Sequence, residues 1–171
     1  MLFWVHAAVA YLLYRGALTV STKKRPSGTT ILALTIGTLL PDIIDKPLSF
    51  MFQSLPSRSL AHSLFTTVLV IGTVFYVLQQ VNRTAVSVAY IFGYLSHLGA
   101  DLVDSLFVPQ ETVVFLLWPL VTDYHHIGTV GELVGLVRPT PYVLTQMLVT
   151  GLAVVVWMSD GKPGYAPTQN Q

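Results

Sequence analysis

The chain has 171 residues, nine Lys and Arg against eight Asp and Glu, a formal net charge of +1 and no cysteine. Hydrophobic residues make up 53% and charged residues 10%, at a mean hydropathy of +0.63; a soluble domain carries about 25% charged residues, so an ordinary soluble protein is excluded and an integral membrane protein is predicted. Without cysteine there are no disulfides, thiolate metal sites or cysteine nucleophiles, and no basic patch alternates with aromatics as nucleic-acid binding would require.

In chain order, residues 2–20 are apolar apart from His6 and Arg15 and read as a first span in the lipid bilayer. A charged turn, Thr22 to Gly28, leads into a second apolar run from Thr29 to Leu40, interrupted by Pro41-Asp-Ile-Ile-Asp-Lys-Pro47. Residues 59–82 carry no charge beyond that of His62 and suffice to cross a bilayer. After the Asn82-Arg83 turn a fourth span runs from Thr84 into Tyr94-Leu-Ser-His-Leu-Gly-Ala-Asp-Leu-Val-Asp-Ser105. Residues 108–140 read as a re-entrant or interfacial excursion, with an apolar patch, Val113 to Val121, too short to span. Residues 139–159 form a last span, and the Pro- and Gly-rich stretch 161–171 reads as a disordered tail. The expected fold is an all-α polytopic membrane bundle, four core spans plus a C-terminal span, in one domain over residues 1–160.

The distribution of Lys and Arg sets the orientation. With Lys23, Lys24 and Arg25 cytoplasmic, Arg83 and Lys162 fall on the same side, and the N-terminus lies outside. This threading sends every histidine, and all the acids but Asp160, to the outer half of a multi-pass cell-membrane protein.

On a helix His97 and Asp101 are one turn apart and Asp104 follows on the same stripe. Ionisable groups are costly in an apolar segment, and a histidine with carboxylates at this spacing suits a divalent cation. Up-down packing brings His6, Asp42, Asp45, His62, His97 and Asp101 to one level of a bundle, where inward-facing His and carboxylate groups build metal sites. Donors of this kind, without sulfur, suit zinc, manganese or iron, as one or two ions. Asp104 is a candidate second acceptor behind a ligand histidine, and Arg58, four residues before His62, could share its face. The bland alternatives are interfacial placement of His6 or His62, helix capping by Asp42 and Asp45, a structural His97–Asp101 pair, and a snorkelling Arg58. His125 and His126 point about 100° apart on a helix and do not readily face one metal.

His6 in an N-terminal span, Leu40-Pro-Asp-Ile-Ile-Asp45, Arg58-Ser-Leu-Ala-His-Ser63, Gly93-Tyr-Leu-Ser-His-Leu-Gly-Ala-Asp101 and Leu117-Trp-Pro-Leu120 together resemble the YdjM-like group of inner-membrane proteins described as membrane-bound metal-dependent hydrolases. The resemblance covers residues 1–122 and implies a metal-dependent hydrolase. The chain is more distantly similar to the zinc-dependent phospholipase C and P1 nuclease group, which implies His6, Asp42 or Asp45, His62, His97 and Asp101 as ligands. It lacks that group's later His-x-x-x-Glu pair and N-terminal tryptophan, so one or two ions are expected rather than three.

The sequence thus predicts a hydrolase acting on a phosphoester, on a lipid or lipid-linked molecule, with metal on His6, Asp42, His62, His97 and Asp101, Asp42 or Asp45 completing the shell or acting as base, and Arg58 offsetting oxyanion charge. The rival readings are a metal or proton transporter and a membrane protein that holds metal only for stability.

Overall fold

The computed structural model describes residues 1–22, 25–52, 54–107, 112–122 and 139–165, and all regular structure among them is helical. Five α-helices follow in order: α1 (Phe3–Ser21), α2 (Gly28–Met51), α3 (Leu64–Gln80), α4 (Thr84–Phe107) and α5 (Pro141–Ser159), with a short 3-10 helix, Val113–Leu117, between the last two. His125 and His126 lie outside the described residues.

The five expected spans correspond to five helices, of which α1, α4 and α5 are long and apolar enough to cross a membrane. The other two differ from expectation in instructive ways. Helix α2 does not break at Pro41 but runs through both Pro41 and Pro47 to Met51. An interior proline costs about 3 kcal/mol in an isolated helix. Here the stripe Leu34, Thr38, Pro41, Asp45 and Ser49 is buried against neighbouring elements, and that packing holds the helix together. Helix α3 begins at Leu64 rather than residue 59 and has 17 residues, about 26 Å of rise against a hydrocarbon core of about 30 Å. The missing turn has other partners: the backbone N–H groups of Ser59 and Ala61 donate to Asp45 at 2.8 and 3.0 Å, and Ser63 caps the helix by accepting from the Phe65 N–H.

Helices α2 and α4 form the centre and cross with their backbones almost touching. A Cβ on Gly37 would stand 2.2 Å from the Tyr90 carbonyl oxygen, and one on Gly93 2.2 Å from the Leu34 carbonyl oxygen. Small residues at such a crossing are the usual means by which membrane helices approach closely. Leu34, Tyr90, Tyr94 and Leu98 from this pair pack with Tyr11 and Tyr14 of α1 and with Phe115 of the 3-10 helix into the main apolar core. Helix α5 packs on α1 and leaves Leu148, Leu152 and Val155 exposed, as a lipid-facing helix does.

At the end of the bundle where α1 finishes and α2 begins, Arg15 Nε and the Tyr11 hydroxyl both donate to Asp160 Oδ2, at 2.7 and 2.8 Å. Burial pushes the Asp160 carboxyl up, but these two hydrogen bonds together with the charges of Arg15 and Arg25 leave the pKa below the ordinary carboxylate value. Residues 161–165, expected to begin a disordered tail, turn back instead: Trp157 Nε1 donates to the Pro163 carbonyl and Gly164 lies against Gly28. Residues 166–171 are outside the described residues.

Gly37→Ala and Gly93→Ala should each lower stability by at least about 1–3 kcal/mol, the usual cost of overpacking. Gly16→Ala and Gly72→Ala, where an added Cβ meets nothing within 4 Å, should not. Thermal unfolding in detergent, followed by circular dichroism, reads the contrast; equal melting of all four variants would mean that the crossing is loose.

Candidate metal centre

The α2–α4 crossing sets the depth at which the polar groups meet. Eight residues beyond Gly37 on α2 is Asp45, and eight beyond Gly93 on α4 is Asp101, so the two helices run side by side into one cluster. Helix α1 adds His6, and the turn before α3 adds Arg58 and His62. All of His6, Asp42, Asp45, His62, His97, Asp101 and Asp104 are buried, none more than 4% exposed.

Asp45 organises the cluster from behind. Besides the two backbone N–H groups, its Oδ2 lies 2.8 Å from His62 Nδ1. That contact assigns the proton to Nδ1 and turns the lone pair of Nε2 inward, an arrangement by which carboxylates orient metal-binding histidines. His62 Nε2 then lies 3.0 Å from His97 Nε2, 3.3 Å from Asp101 Oδ2 and 3.6 Å from Asp42 Oδ1. His97 Nε2 is 3.4 Å from Asp101 Oδ2 and 3.9 Å from Asp42 Oδ1.

His62 Nε2, His97 Nε2 and Asp101 Oδ2 therefore face one another at 3.0 to 3.4 Å and form one group able to hold an ion, with Asp42 Oδ1 at 3.6 and 3.9 Å from the two imidazole nitrogens. Ligands about 2.0–2.1 Å from a tetrahedral ion stand about 3.3 Å apart, which is the scale of this cluster. Asp101 Oδ2 is buried and has no hydrogen-bond partner although two imidazole nitrogens lie within 3.4 Å. An orphaned carboxylate oxygen aimed at two histidines fits a cation, since such an atom otherwise bears its full desolvation cost.

The remaining groups surround this set. Asp101 Oδ1 lies 3.1 Å from His6 Nε2 and accepts from Arg58 Nη2 at 2.8 Å. Arg58 Nη2 also donates to Asp104 Oδ2 at 2.9 Å, and Asp104 Oδ1 accepts from the Tyr142 hydroxyl. The His6 ring stacks on His97 with centroids 4.2 Å apart, and His6, Asp42 and His97 form a second, overlapping group able to hold an ion. Lys46 Nζ donates to Asp42 Oδ2 at 2.6 Å. Four buried carboxylates thus meet three cations, Arg58, Lys46 and the Met1 ammonium 2.5 Å from Asp104 Oδ2, and the remaining charge falls to a protonated imidazole or to a bound cation.

Every described site residue expected from the sequence comes to this one place. Three further groups were not foreseen. Lys46 was legible from its i,i+4 spacing to Asp42. Tyr142 and Phe115 gave no signal: Phe115 stands edge-on to the His62 ring at 6.1 Å and lies under the Arg58 guanidinium at 5.6 Å. The segment that carries it is tied down where Ser63 Oγ donates to the Trp118 carbonyl.

The fold and the cluster define an all-helical membrane protein with a His/Asp centre, capable of holding a metal ion, buried between its helices. A family model described as YdjM inner membrane protein matches residues 1–162, and the chain belongs to that family. No curated protein and no solved structure matches the chain, and the comparisons do not extend the relationship to the phospholipase C and P1 nuclease group.

His97→Ala and Asp101→Asn should each remove most bound metal, whereas Ser96→Ala, about 100° away on α4, should leave it unchanged. Asp45→Asn should weaken binding by about 10–100-fold, the usual effect of losing the carboxylate behind a ligand histidine. Metal content by mass spectrometry and competition titration against a chelator measure both. Wild-type content in Asp101→Asn would sink the metal reading of this cluster.

Proposed function

We propose that this protein is a membrane-embedded hydrolase dependent on one divalent metal ion, zinc foremost and manganese or iron otherwise, acting on a phosphoester of a lipid or lipid-linked molecule. The observation that supports it is the convergence of His62 Nε2, His97 Nε2 and Asp101 Oδ2, with Asp42 Oδ1 beside both imidazole nitrogens and Asp101 Oδ2 unsatisfied. An ion held by such donors lowers the pKa of water and so supplies hydroxide near neutral pH. The chain's own residues divide the other tasks. Asp45, with both oxygens engaged, orients His62 and is not available as a base. Arg58 fixes the Asp101 carboxylate and brings positive charge to the side from which an anionic substrate would approach. His6 Nε2, 3.1 Å from Asp101 Oδ1, steadies that carboxylate from the α1 side. The phosphoester rests on the more distant likeness to the phospholipase C and P1 nuclease group, and the lipid on the position of the cluster toward one end of the bundle.

A second reading, metal held for stability alone, is favoured by burial: His62, His97, Asp101 and the neighbouring Asp42 are all covered, and a structural ion is one closed off from water. One sample decides between them. Purified protein would be assayed on a panel of water-soluble and lipid phosphoesters, as isolated, after chelation and after metal return. Turnover that disappears on chelation and in His97→Ala, with Ser96→Ala active, supports the hydrolase. Stoichiometric metal that raises the melting temperature without turnover on any phosphoester supports the structural reading.

The centre is assigned to the extracytoplasmic side, because Arg15, Arg25, Arg83 and Lys162 lie toward the opposite end. The absence of cysteine makes this directly testable. In intact cells, Ser54→Cys should react with a membrane-impermeant maleimide, and Arg83→Cys and Lys162→Cys should react only after permeabilisation. The reverse pattern would put the site on the cytoplasmic side.

A further inference from the structure

On the flank of the bundle away from the metal centre, a groove of about 230 Å³ runs between α1, α2 and α5. Its walls include Ala8 and Tyr11, Ile31 and Thr35, and Ala153 and Trp157. Ala8 is two residues from His6 and so points about 200° around α1 from it; the groove and the metal cluster occupy opposite sides of that helix. The lining is largely apolar and carries no charged side chain.

The charge is at one end. Tyr11, in the wall, donates its hydroxyl to Asp160 Oδ2, the oxygen that also accepts from Arg15 Nε. Arg25 Nε stands 3.8 Å from Asp160 Oδ1 with its side chain 66% exposed, and Lys162 follows two residues later, also exposed. Arg15 and Arg25 therefore share a single carboxylate, and with the exposed Lys162 two residues along the chain from it they leave an excess of positive charge at this end of the apolar groove. Trp157 and Tyr165, in ring contact at 6.3 Å, mark the same end, and aromatic residues of this type collect at the membrane interface.

We propose that this groove binds one anionic glycerophospholipid of the bilayer, an acyl chain lying between α1, α2 and α5 and the phosphate held by Arg25 with Arg15 and Lys162. An apolar trough ending in surplus positive charge at the interface complements that molecule: the chain needs only apolar surface, and each nearby basic residue favours an anionic headgroup. The proposal is independent of the metal centre and of any hydrolase activity.

The test uses the full chain, purified in detergent and titrated with phosphatidylglycerol or with phosphatidylcholine of the same acyl chains, with bound lipid counted by native mass spectrometry. The wild type should take one phosphatidylglycerol on the order of tenfold more tightly than phosphatidylcholine. Arg25→Gln, a change on an exposed side chain, should reduce that preference about fivefold. Ala153→Leu, which fills the groove, should weaken both lipids, while Arg83→Gln, at the α3–α4 turn, should change neither. Equal binding of the two lipids, an equal effect of Arg83→Gln, or undiminished binding in Ala153→Leu would each overturn the proposal. So would a dimer that Ala153→Leu dissociates, since the groove would then belong to a second copy of the chain.

Discussion

The crossing of α2 and α4 at Gly37 and Gly93 is the constraint on which the centre depends. At this separation there is no room for a side chain between the backbones, so the residues one to two turns further along both helices are brought within hydrogen-bond range of each other. Asp42 and Asp45 on one helix then face His97 and Asp101 on the other. The buried stripe of α2 carries the helix past two prolines because leaving it would uncover those carboxylates. Tyr94, one residue after the crossing glycine, extends the same logic outward: its hydroxyl donates to the Ala61 carbonyl and fixes the turn that presents His62.

Electrostatics explains why the turn is so closely specified. An ionised carboxylate removed from water costs several kcal/mol unless it is paired and hydrogen-bonded. Asp45 meets that demand with two backbone N–H groups and His62, and Asp104 with Arg58 and Tyr142. Asp42 has Lys46 on one oxygen only. What is left after local pairing is one oxygen of Asp42 and one of Asp101, both turned toward the two imidazoles. The outer carboxylate oxygens are thus paired, while Asp101 Oδ2 faces two imidazole nitrogens without a partner, a placement that suits a bound cation.

Much of this was legible in the sequence because helical periodicity and depth are both linear properties. His97 and Asp101 are fixed by i,i+4 spacing, and the sorting of His6, Asp42, His62 and His97 to one level follows from counting spans. The distinct tasks of Asp42 and Asp45 were not legible, since either lies near the same depth; only the fold of residues 59–61 onto Asp45 separates them. The start of α3 was misplaced for the same reason, because the hydrogen bonds that divert its first turn come from another helix. Hydropathy likewise read Pro41 as an interruption, whereas the packing of α2 against α4 decides the matter. Phe115 covers His62 from a segment whose sequence shows only an apolar patch.

Whether Asp101 can bridge two ions follows from how it uses its two oxygens. A carboxylate bridging two metals must offer both, and Asp101 Oδ2 is offered to His62 and His97. Its Oδ1 is not: Arg58 Nη2 donates to it at 2.8 Å, and the guanidinium is anchored a second time on Asp104. A second cation on Oδ1 would have to sit beside a permanent positive charge in a low-dielectric interior, where like charges within a few ångströms repel strongly. Arg58 therefore holds Oδ1 out of a bridging role and leaves Oδ2 as the oxygen that Asp101 offers to an ion. His6 reaches Oδ1 with one ring nitrogen, stacks on His97, and with Asp42 and His97 makes the second group able to hold an ion.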